Sequence, residues 1–332
     1  MKEREQGMRA RNPHGASVVV TGVAGFVGSH LAARLLDLGF DVVGIDNLFS
    51  GKPENILPLR DHPGFTFYLR SVTEVGLLSD LLASHPDLSC CFHLAAIVSV
   101  PYSLDHPEET MATNYKATVD LLREAEAHGF RSFVFAGSAA EYGDDSRLPL
   151  LETYTDENTV QLSHYGRAKF LASQEVGRSS IGVVLRCFNI YGPRQDPASP
   201  YSGVISRFIR MALKGDPITI FGDGNQTRDF IEVSDVVEGY VRAAGLEASC
   251  PTLLPGVYNV GRGIGTSILD LAVLVQELTK SPSVLQFLEE RAGDIRHSRA
   301  DISSFKRVFR WRPQVDLIHG LTRTIEWMRS GT

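Results

Sequence analysis

Tyr165 and Lys169 stand four residues apart in the segment Tyr165-Gly166-Arg167-Ala168-Lys169, and on a helix that spacing puts both side chains on one face. A phenol beside an ammonium is a tunable acid/base, because the cation favours the phenolate and draws its pKa down from about 10. Such a couple can take a proton from a hydroxyl while hydride leaves the carbon that bears it. Ser138 stands 27 residues earlier, at the end of a predicted strand, where its hydroxyl can share a hydrogen bond with a substrate oxygen and the phenol. Each feature alone has a plainer reading. A Tyr-x3-Lys pair is common on solvated helix faces, and a serine is common where a strand turns into a loop.

Hydride needs an acceptor, and the N-terminal part of the chain describes a place for one. Val18-Val19-Val20-Thr21-Gly22-Val23-Ala24-Gly25-Phe26-Val27-Gly28 is an apolar strand running into a glycine turn, and His30-Leu31-Ala32-Ala33-Arg34-Leu35-Leu36 supplies a helical apolar face after it. A strand, a glycine turn and a helix in that order form a dinucleotide-binding fingerprint. A second strand, Asp41-Val42-Val43-Gly44-Ile45-Asp46, ends on an acid 18 residues past Gly28. That position suits the carboxylate that grips the adenosine ribose hydroxyls, although an aspartate at a strand end is also an ordinary turn former.

The elements that must hold these residues alternate through the first half. A polar loop over 47–60 leads to a short strand at Phe65–Leu69, a helix over 75–84 and a buried strand over 90–94. A helix over 108–127 is stopped by His128-Gly129, and a strand over 132–136 leads to Gly137-Ser138. The helix bearing Tyr165 runs to about residue 177, and a strand over 182–185 follows. This order predicts an α/β, Rossmann-type doubly wound parallel sheet. From about residue 190, prolines and glycines cluster (Gly192-Pro193, Pro197, Pro200, Gly203) and the alternation breaks. The expectation is a disordered extension over 1–14, a dinucleotide-binding domain over 15–188 to which later segments return, and a smaller C-terminal α/β substrate-binding region over 189–332, lying over the strand ends.

With 332 residues the chain can bury a full core as one large domain or two intimate ones. A net charge of −6 gives no basic field, which argues against nucleic acid as a partner. Hydrophobic and charged contents of 43% and 22% are ordinary globular values. Nothing approaches 18 consecutive apolar residues, so no membrane span is expected. The charged start Met1-Lys2-Glu3-Arg4-Glu5-Gln6-Gly7 does not read as a signal peptide. Cys90, Cys91, Cys187 and Cys250 have no metal-like spacing and read as reduced residues of a cytoplasmic protein.

The ordered motifs resemble an extended short-chain dehydrogenase/reductase of the NAD-dependent nucleotide-sugar epimerase/dehydratase family, over residues 16–328. They are Thr21-Gly22-x2-Gly25-x2-Gly28, Asp46-Asn47-Leu48, His93-Leu94-Ala95-Ala96, Ser138, Tyr142-Gly143-Asp144, Tyr165-x3-Lys169 and Arg186-x-Phe188-Asn189-x-Tyr191-Gly192-Pro193. Gly222-Asp223-Gly224-x3-Arg228-Asp229-Phe230 and Asn259-Val260-Gly261 complete the set. The resemblance implies NAD held by Gly22, Gly25, Phe26, Val27 and Gly28, with Asp46, Asn47, Gly51, Ser71 and Val72 toward the adenosine half. It places Leu94, Ala95, Ala96, Asn114, Tyr165, Lys169 and Phe188 toward the nicotinamide. Where many relatives carry Gly-Asp-Ile/Val after the third strand, this chain has Arg70-Ser71-Val72, leaving Ser71 as the substitute contact. The family also implies a homodimer, joined through the helix over 108–127 and the Tyr165 helix.

The resemblance narrows the reaction. Nucleotide-sugar dehydratases keep an acid pair or a lone glutamate after the catalytic hydroxyl, and related decarboxylases a glutamate two places on. Here Ala139-Ala140 follow Ser138, and strand-like alternation would aim Glu141 elsewhere. What remains is oxidation and re-reduction at one carbon: C4 epimerisation through a 4-keto sugar, with Ser138, Tyr165 and Lys169 as catalytic residues. Ile97-Val98-Ser99-Val100-Pro101-Tyr102-Ser103, Arg194-Gln195-Asp196-Pro197 with Tyr201-Ser202-Gly203-Val204-Ile205, and the run from Gly293 to Asp301 resemble the substrate segments of UDP-N-acetylglucosamine C4-epimerases. The resemblance assigns Asn189, Arg228 and Arg291 to the diphosphate, Asp294 to the uridine ribose, Thr219 and Phe221 to the uracil, and Ser99, Ser138, Val204 and Ser298 to the rest of the UDP-sugar. Serine at 298, where epimerases confined to non-acetylated hexoses hold a tyrosine, leaves room beside the sugar C2 group. A plainer reading makes Ser298 a solvated loop residue and gives Arg228 to a salt bridge. The rival functions are a UDP-glucose/UDP-galactose 4-epimerase, a UDP-glucuronate 4-epimerase using Arg296, and an NAD-binding regulator without catalysis.

Overall fold

Val18 and Val20 belong to one buried cluster and Val19 to another, the period-two division of a strand covered on both faces. Cys90 and Phe92 are divided in the same way from Cys91, Val134 from Phe133 and Phe135, and Val183 and Leu185 from Val184. The computed structural model describes residues 16–197, 203–246, 253–290 and 293–331. The expected extension over 1–14 lies outside them.

Strands β1 (Ser17–Thr21), β2 (Asp41–Asp46), β3 (Phe65–Leu69), β4 (Leu88–His93), β5 (Ser132–Ser138), β6 (Gly182–Cys187) and, after β7 (Asn189–Tyr191), β8 (Ile218–Phe221) and β9 (Thr227–Glu232), β10 (Gly256–Val260) supply the main sheet. Its order is β10-β6-β5-β4-β1-β2-β3, and every pair is parallel. The winding therefore reverses between β1 and β4, and in such sheets the crevice beyond that reversal binds ligands. Helices Phe26–Asp37, Val233–Ala243 and Ser303–Phe309 cover one face; Leu77–Ser84, Ala117–Ala127 and His164–Arg178 cover the other.

Beyond β6 the chain builds a smaller layer. β7, β9 and β11 (Gly265–Ser267) form a three-stranded sheet, β8 pairs in parallel with β12 (Leu285–Leu288), and helices Val204–Lys214, Ile268–Thr279 and Leu317–Ser330 enclose a third cluster around Phe208, Leu271 and Leu321. Among the described residues no helix is long and apolar enough to cross a membrane. Cys90 and Cys91 are buried and unbridged, as is the half-buried Cys187; Cys250 lies outside the described residues.

Two expected elements differ. The helix over 75–84 begins at Leu77, because Gly76 sits in the left-handed region at φ 76°. The helix over 108–127 is broken into Pro107–Met111, a π-helical segment Ala112–Lys116 and Ala117–Ala127. Wide turns of this kind arise where a side chain has other obligations, and Asn114 is bonded both ways to the Ile97 backbone, at 2.8 Å each.

The smaller layer is tied down by a buried carboxylate. Asp229 of β9 is fully buried and accepts from the backbone N–H groups of Arg262 at 2.8 Å, Gly263 at 2.9 Å and Ala300 at 3.1 Å. Removing it strands three backbone donors, that of Ala300 fully buried and those of Arg262 and Gly263 half-buried. Asp229→Ala should lower the unfolding free energy by about 2–3 kcal/mol, read as a lower midpoint in urea.

Candidate active site

The glycine turn after β1 folds so tightly that a Cβ on Gly28 would lie 2.1 Å from the Gly22 carbonyl oxygen, and one on Gly22 2.8 Å from the Ala95 nitrogen. Only hydrogens fit at those two places. The helix Phe26–Asp37 starts at Gly25 with no side-chain cap, so its first N–H groups are left for an anion. This turn is one wall of a crevice of about 350 Å³. Gly22, Gly25, Phe26, Val27, Gly28, Asp46, Asn47, Gly51, Val72, Leu94, Ala95 and Ala96 all line it, joining twelve of the residues expected from the sequence.

At the far end Asp46 is buried, accepting from the N–H groups of Ala24 at 3.0 Å and Leu48 at 2.7 Å. Burial raises its carboxyl above the ordinary value, and the two N–H groups oppose that. Ser71 does not join the wall. Its hydroxyl bonds Thr73 at 2.8 Å and its N–H bonds Glu74 at 2.7 Å, while Arg70 and Val72 on either side line the crevice. Asn114 and Phe188 are fully buried behind the wall. Lys52, Asn55, Glu109, Thr113, Arg194, Gln195 and Asp196 also line the crevice, and sequence reasoning assigned none of them to the cofactor. Lys52 and Asp196 meet at 2.6 Å, which closes the loop after β2 onto the segment after β7. An extended dinucleotide fits this crevice: a glycine cradle and open helix N–H groups suit its diphosphate, and a carboxylate stands at the adenosine end.

The floor between β1 and β4 is set by His93. Thr118 donates its hydroxyl proton to the Asn114 carbonyl at 2.9 Å, so at its 2.9 Å contact with His93 Nε2 it must accept. Nε2 therefore carries the hydrogen, and Nδ1 accepts from the Thr21 hydroxyl at 2.7 Å. The Thr21 oxygen in turn accepts from the N–H groups of Leu94 at 3.1 Å and Ala95 at 3.2 Å. One neutral imidazole thus fixes both the end of the glycine strand and the path toward nicotinamide. Complete burial holds its pKa down at about 3, helped by the Lys169 charge.

The helix bearing Tyr165 starts because Ser163 caps it, accepting from Gly166 N–H at 3.1 Å. Tyr165 and Lys169 lie on its inner face against β5 and β6, and the Ser138 hydroxyl at the end of β5 lies close enough to the Tyr165 phenol to favour its ionised form. The sequence predicts a phenol made more acidic by Lys169; the geometry corrects this. Lys169 is buried, donates to the Ala136 carbonyl at 2.9 Å and sits 4.6 Å over the Phe135 ring. Burial pushes Tyr165 up to about 12 against the lowering hydrogen bond from Ser138, and pulls Lys169 down to about 8. In the protein alone, desolvation outweighs the spacing.

A second correction concerns Glu141. β5 stops at Ser138, and Ala139–Tyr142 form a 3-10 turn rather than a continuing strand. Glu141 is turned fully inward, accepting from Ser138 N–H and pairing with Arg186 at 2.6 Å. No acid is left free beside the Ser138 hydroxyl by Ala139, Ala140 or Glu141.

On the substrate side, Arg228 of β9 is ion-paired with Asp294, so two residues assigned to different parts of the nucleotide meet each other. Asn189 donates to the Asp229 carbonyl at 3.1 Å. Thr219 and Phe221 lie on β8, Val204 begins its helix, and Ser99 caps the turn at Val100–Asp105 by accepting from Tyr102 N–H at 2.9 Å. Ser298 is only 6% exposed, with its N–H bonded to the Thr227 carbonyl at 3.1 Å, so it is not a solvated loop residue. Arg291 lies outside the described residues.

A parallel sheet wound in two directions, a glycine cradle at its reversal point and a Ser-Tyr-Lys group at the next strand ends define a dinucleotide-dependent enzyme of the extended short-chain dehydrogenase/reductase class. Residues 18–261 match the NAD dependent epimerase/dehydratase family, and the chain belongs to it. It is 35% identical over 318 residues to the UDP-glucose 4-epimerase of Mycolicibacterium smegmatis, covering 94% of this chain and 98% of that protein. The UDP-N-acetylglucosamine 4-epimerase of Methanobrevibacter ruminantium, solved with UDP-N-acetylmuramic acid, is 34% identical with a TM-score of 0.86, covering 96% of this chain and 99% of that one. The UDP-glucuronic acid 4-epimerase of Bacillus cereus, solved with UDP-glucuronic acid and NAD, is 30% identical with a TM-score of 0.84, covering 95% and 100%. The cofactor of the family is NAD.

The folded chain holds His93 neutral far below the pH at which an unfolded histidine takes a proton, near 6.5. Between about 6.5 and about 3 the unfolded state binds the extra proton, so stability falls as pH falls; His30, held at about 4 by burial, adds to the slope. The melting temperature should drop across pH 6.5 to 4, and His93→Asn should make that drop shallower.

Proposed function

We propose that the protein interconverts UDP-hexoses at C4 through a transient 4-keto sugar, with UDP-N-acetylglucosamine and UDP-N-acetylgalactosamine as the preferred pair. The observation that carries the reaction type is the turn after Ser138: Ala139 and Ala140 offer no proton, and Glu141 is sealed against Arg186. Elimination or decarboxylation assisted from that position has no acid to use. When bound, NAD supplies the hydride acceptor and donor and a positive ring that favours the phenolate of Tyr165. Ser138 holds the C4 oxygen and passes its hydrogen bond to Tyr165, which takes the proton and later returns it. Lys169, fixed on the Ala136 carbonyl, keeps a cation on the inner face of the same helix. Acid/base help of this kind contributes about 10²–10⁴-fold, and positioning supplies much of the remainder.

The acetamido preference rests on Ser298. A buried serine on the segment joined to Thr227 leaves volume where a larger side chain would press on the sugar C2 substituent, and its hydroxyl can bond an acetamide. Arg296, the candidate partner for a uronate carboxylate, is held by Asp223 in two bonds of 2.7 and 2.8 Å on an exposed surface. That contact disfavours the glucuronate reading. Two copies would meet through the helical segments over 107–127 and His164–Arg178.

Incubation with a panel of UDP-sugars, no NAD added and products read by NMR, should give C4 epimers, fastest for the acetamido pair. A kcat/KM at least tenfold higher for UDP-galactose would overturn that preference. Tyr165→Phe should keep bound NAD and lose about 10²–10⁴-fold in turnover; unchanged turnover would reject Tyr165 as the base.

A further inference from the structure

The NAD-facing and sugar-facing roles above leave one buried charge pair unused. Glu141 and Arg186 are 0% and 1% exposed and meet at 2.6 Å. Sealing two charges away from water is costly unless every lone pair and hydrogen finds a partner. Here the partners lead to the catalytic hydroxyl. One oxygen of Glu141 takes the Arg186 Nε–H; the other takes the Ser138 backbone N–H at 2.7 Å. The Ser138 hydroxyl accepts from Ala140 N–H at 3.2 Å, so both backbone groups that fix Ser138 belong to the same turn. Arg186 stands on β6, where it pairs with Gly137 of β5, and it is held further by the Glu152 carbonyl at 3.1 Å and the Tyr142 ring at 5.1 Å. Gly137 admits the carboxylate: a Cβ there would lie 2.9 Å from the Glu141 oxygen.

We propose that Glu141, clamped by Arg186, is a positioning residue that sets the Ser138 hydroxyl against the Tyr165 phenol. The carboxylate uses one oxygen for each partner, and a carboxamide has only one acceptor oxygen to serve both. Loss of the charge therefore leaves either Ser138 or Arg186 without its bond while the side-chain shape stays the same. The Glu141 charge also faces the acid/base couple. The titratable and charged groups that face Tyr165 are Glu141 on the turn, Cys187 on β6 and Tyr240 on the helix Val233–Ala243; Lys169 on its own helix faces Glu141, Cys187 and His93 of β4, and Arg186 faces Glu141 and Tyr142. Among these, Glu141 and Cys187 hold the phenol up, and the neutral substitute removes one of them.

The inference rests on Ser138 and Tyr165 handling the proton of the proposed epimerisation, so the test carries its own control for that reading. NAD-loaded wild type, Glu141→Gln, Ser138→Ala, and the Ser138→Ala/Glu141→Gln double variant are assayed with the UDP-sugar that the wild type turns over best. Glu141→Gln should lower kcat about tenfold or more, keep KM within about twofold and NAD content unchanged, and move the rising limb of the kcat pH profile to lower pH. In the Ser138→Ala background it should add no further loss, because the coupling runs through Ser138. Glu141→Leu with Arg186→Met, which replaces the pair by apolar groups of similar size, gives the same kcat readout should the single variant fail to fold. Unchanged kcat and pH limb in a folded Glu141→Gln or in the apolar pair, with Ser138→Ala impaired, overturns the role of Glu141 alone. The same holds if the losses of Ser138→Ala and Glu141→Gln simply multiply. Full activity of Ser138→Ala overturns both this inference and the reading beneath it.

Discussion

One buried imidazole joins the two sides of the crevice. Strands β1 and β4 are neighbours, paired in parallel as far as Thr21 and His93, and their connections depart in opposite directions, so beyond that pair a side chain must tie the two edges of the opening together. His93 does so, with Thr21 on one side and Thr118 on the other at 2.7 and 2.9 Å. Its proton placement follows from Thr118 donating to Asn114, and the chain continues from Asn114 to both backbone groups of Ile97. Glycine cradle, nicotinamide path and π-helical segment are therefore one hydrogen-bonded unit. A charged imidazole cannot serve there, because it would have two donors and no acceptor for the Thr21 hydroxyl.

Burial governs the chemistry as well as the frame. It makes the phenol of Tyr165 a weaker acid and the ammonium of Lys169 a stronger one, the reverse of what proximity alone would do for the phenol. Positive charge in the crevice beside the couple would favour the phenolate. In that arrangement acid/base power is linked to cofactor occupancy.

Much of this was legible in the sequence because it is local or periodic. The strand-turn-helix at Val18 to Gly28 needs only short spacings, and the continuous apolar runs on β1, β4, β5 and β6 announce strands buried on both faces. Six of the twelve crevice residues, Gly22, Gly25, Phe26, Val27, Gly28 and Asp46, follow from such patterns, and the other six from the family resemblance. What escaped is what depends on distant partners. The Ser71 hydroxyl meets Thr73, two residues on, a contact the motif does not announce. The π-helical segment arises from Asn114 reaching Ile97, 17 residues earlier. Glu141 was expected to alternate along a strand, but Arg186, 45 residues later, draws it inward and a tight turn follows. Lys52 and Asp196 meet across the crevice from positions that no linear pattern connects.

Substrate choice and catalysis are separated in the fold by the same logic. The proton-handling group stands on β5 and the helix His164–Arg178, elements of the main sheet with both faces covered. The residues assigned to the nucleotide and sugar stand on β8, β9 and the run around Asp294 to Ser298, which the buried Asp229 ties to the loop after β10. A change at Ser298 leaves Ser138 and Tyr165 their supports, since no hydrogen bond described for Ser298 reaches either residue. Under the proposed function, substitutions in the smaller layer would shift sugar preference, while the turn of two alanines and a sealed glutamate would keep the reaction type.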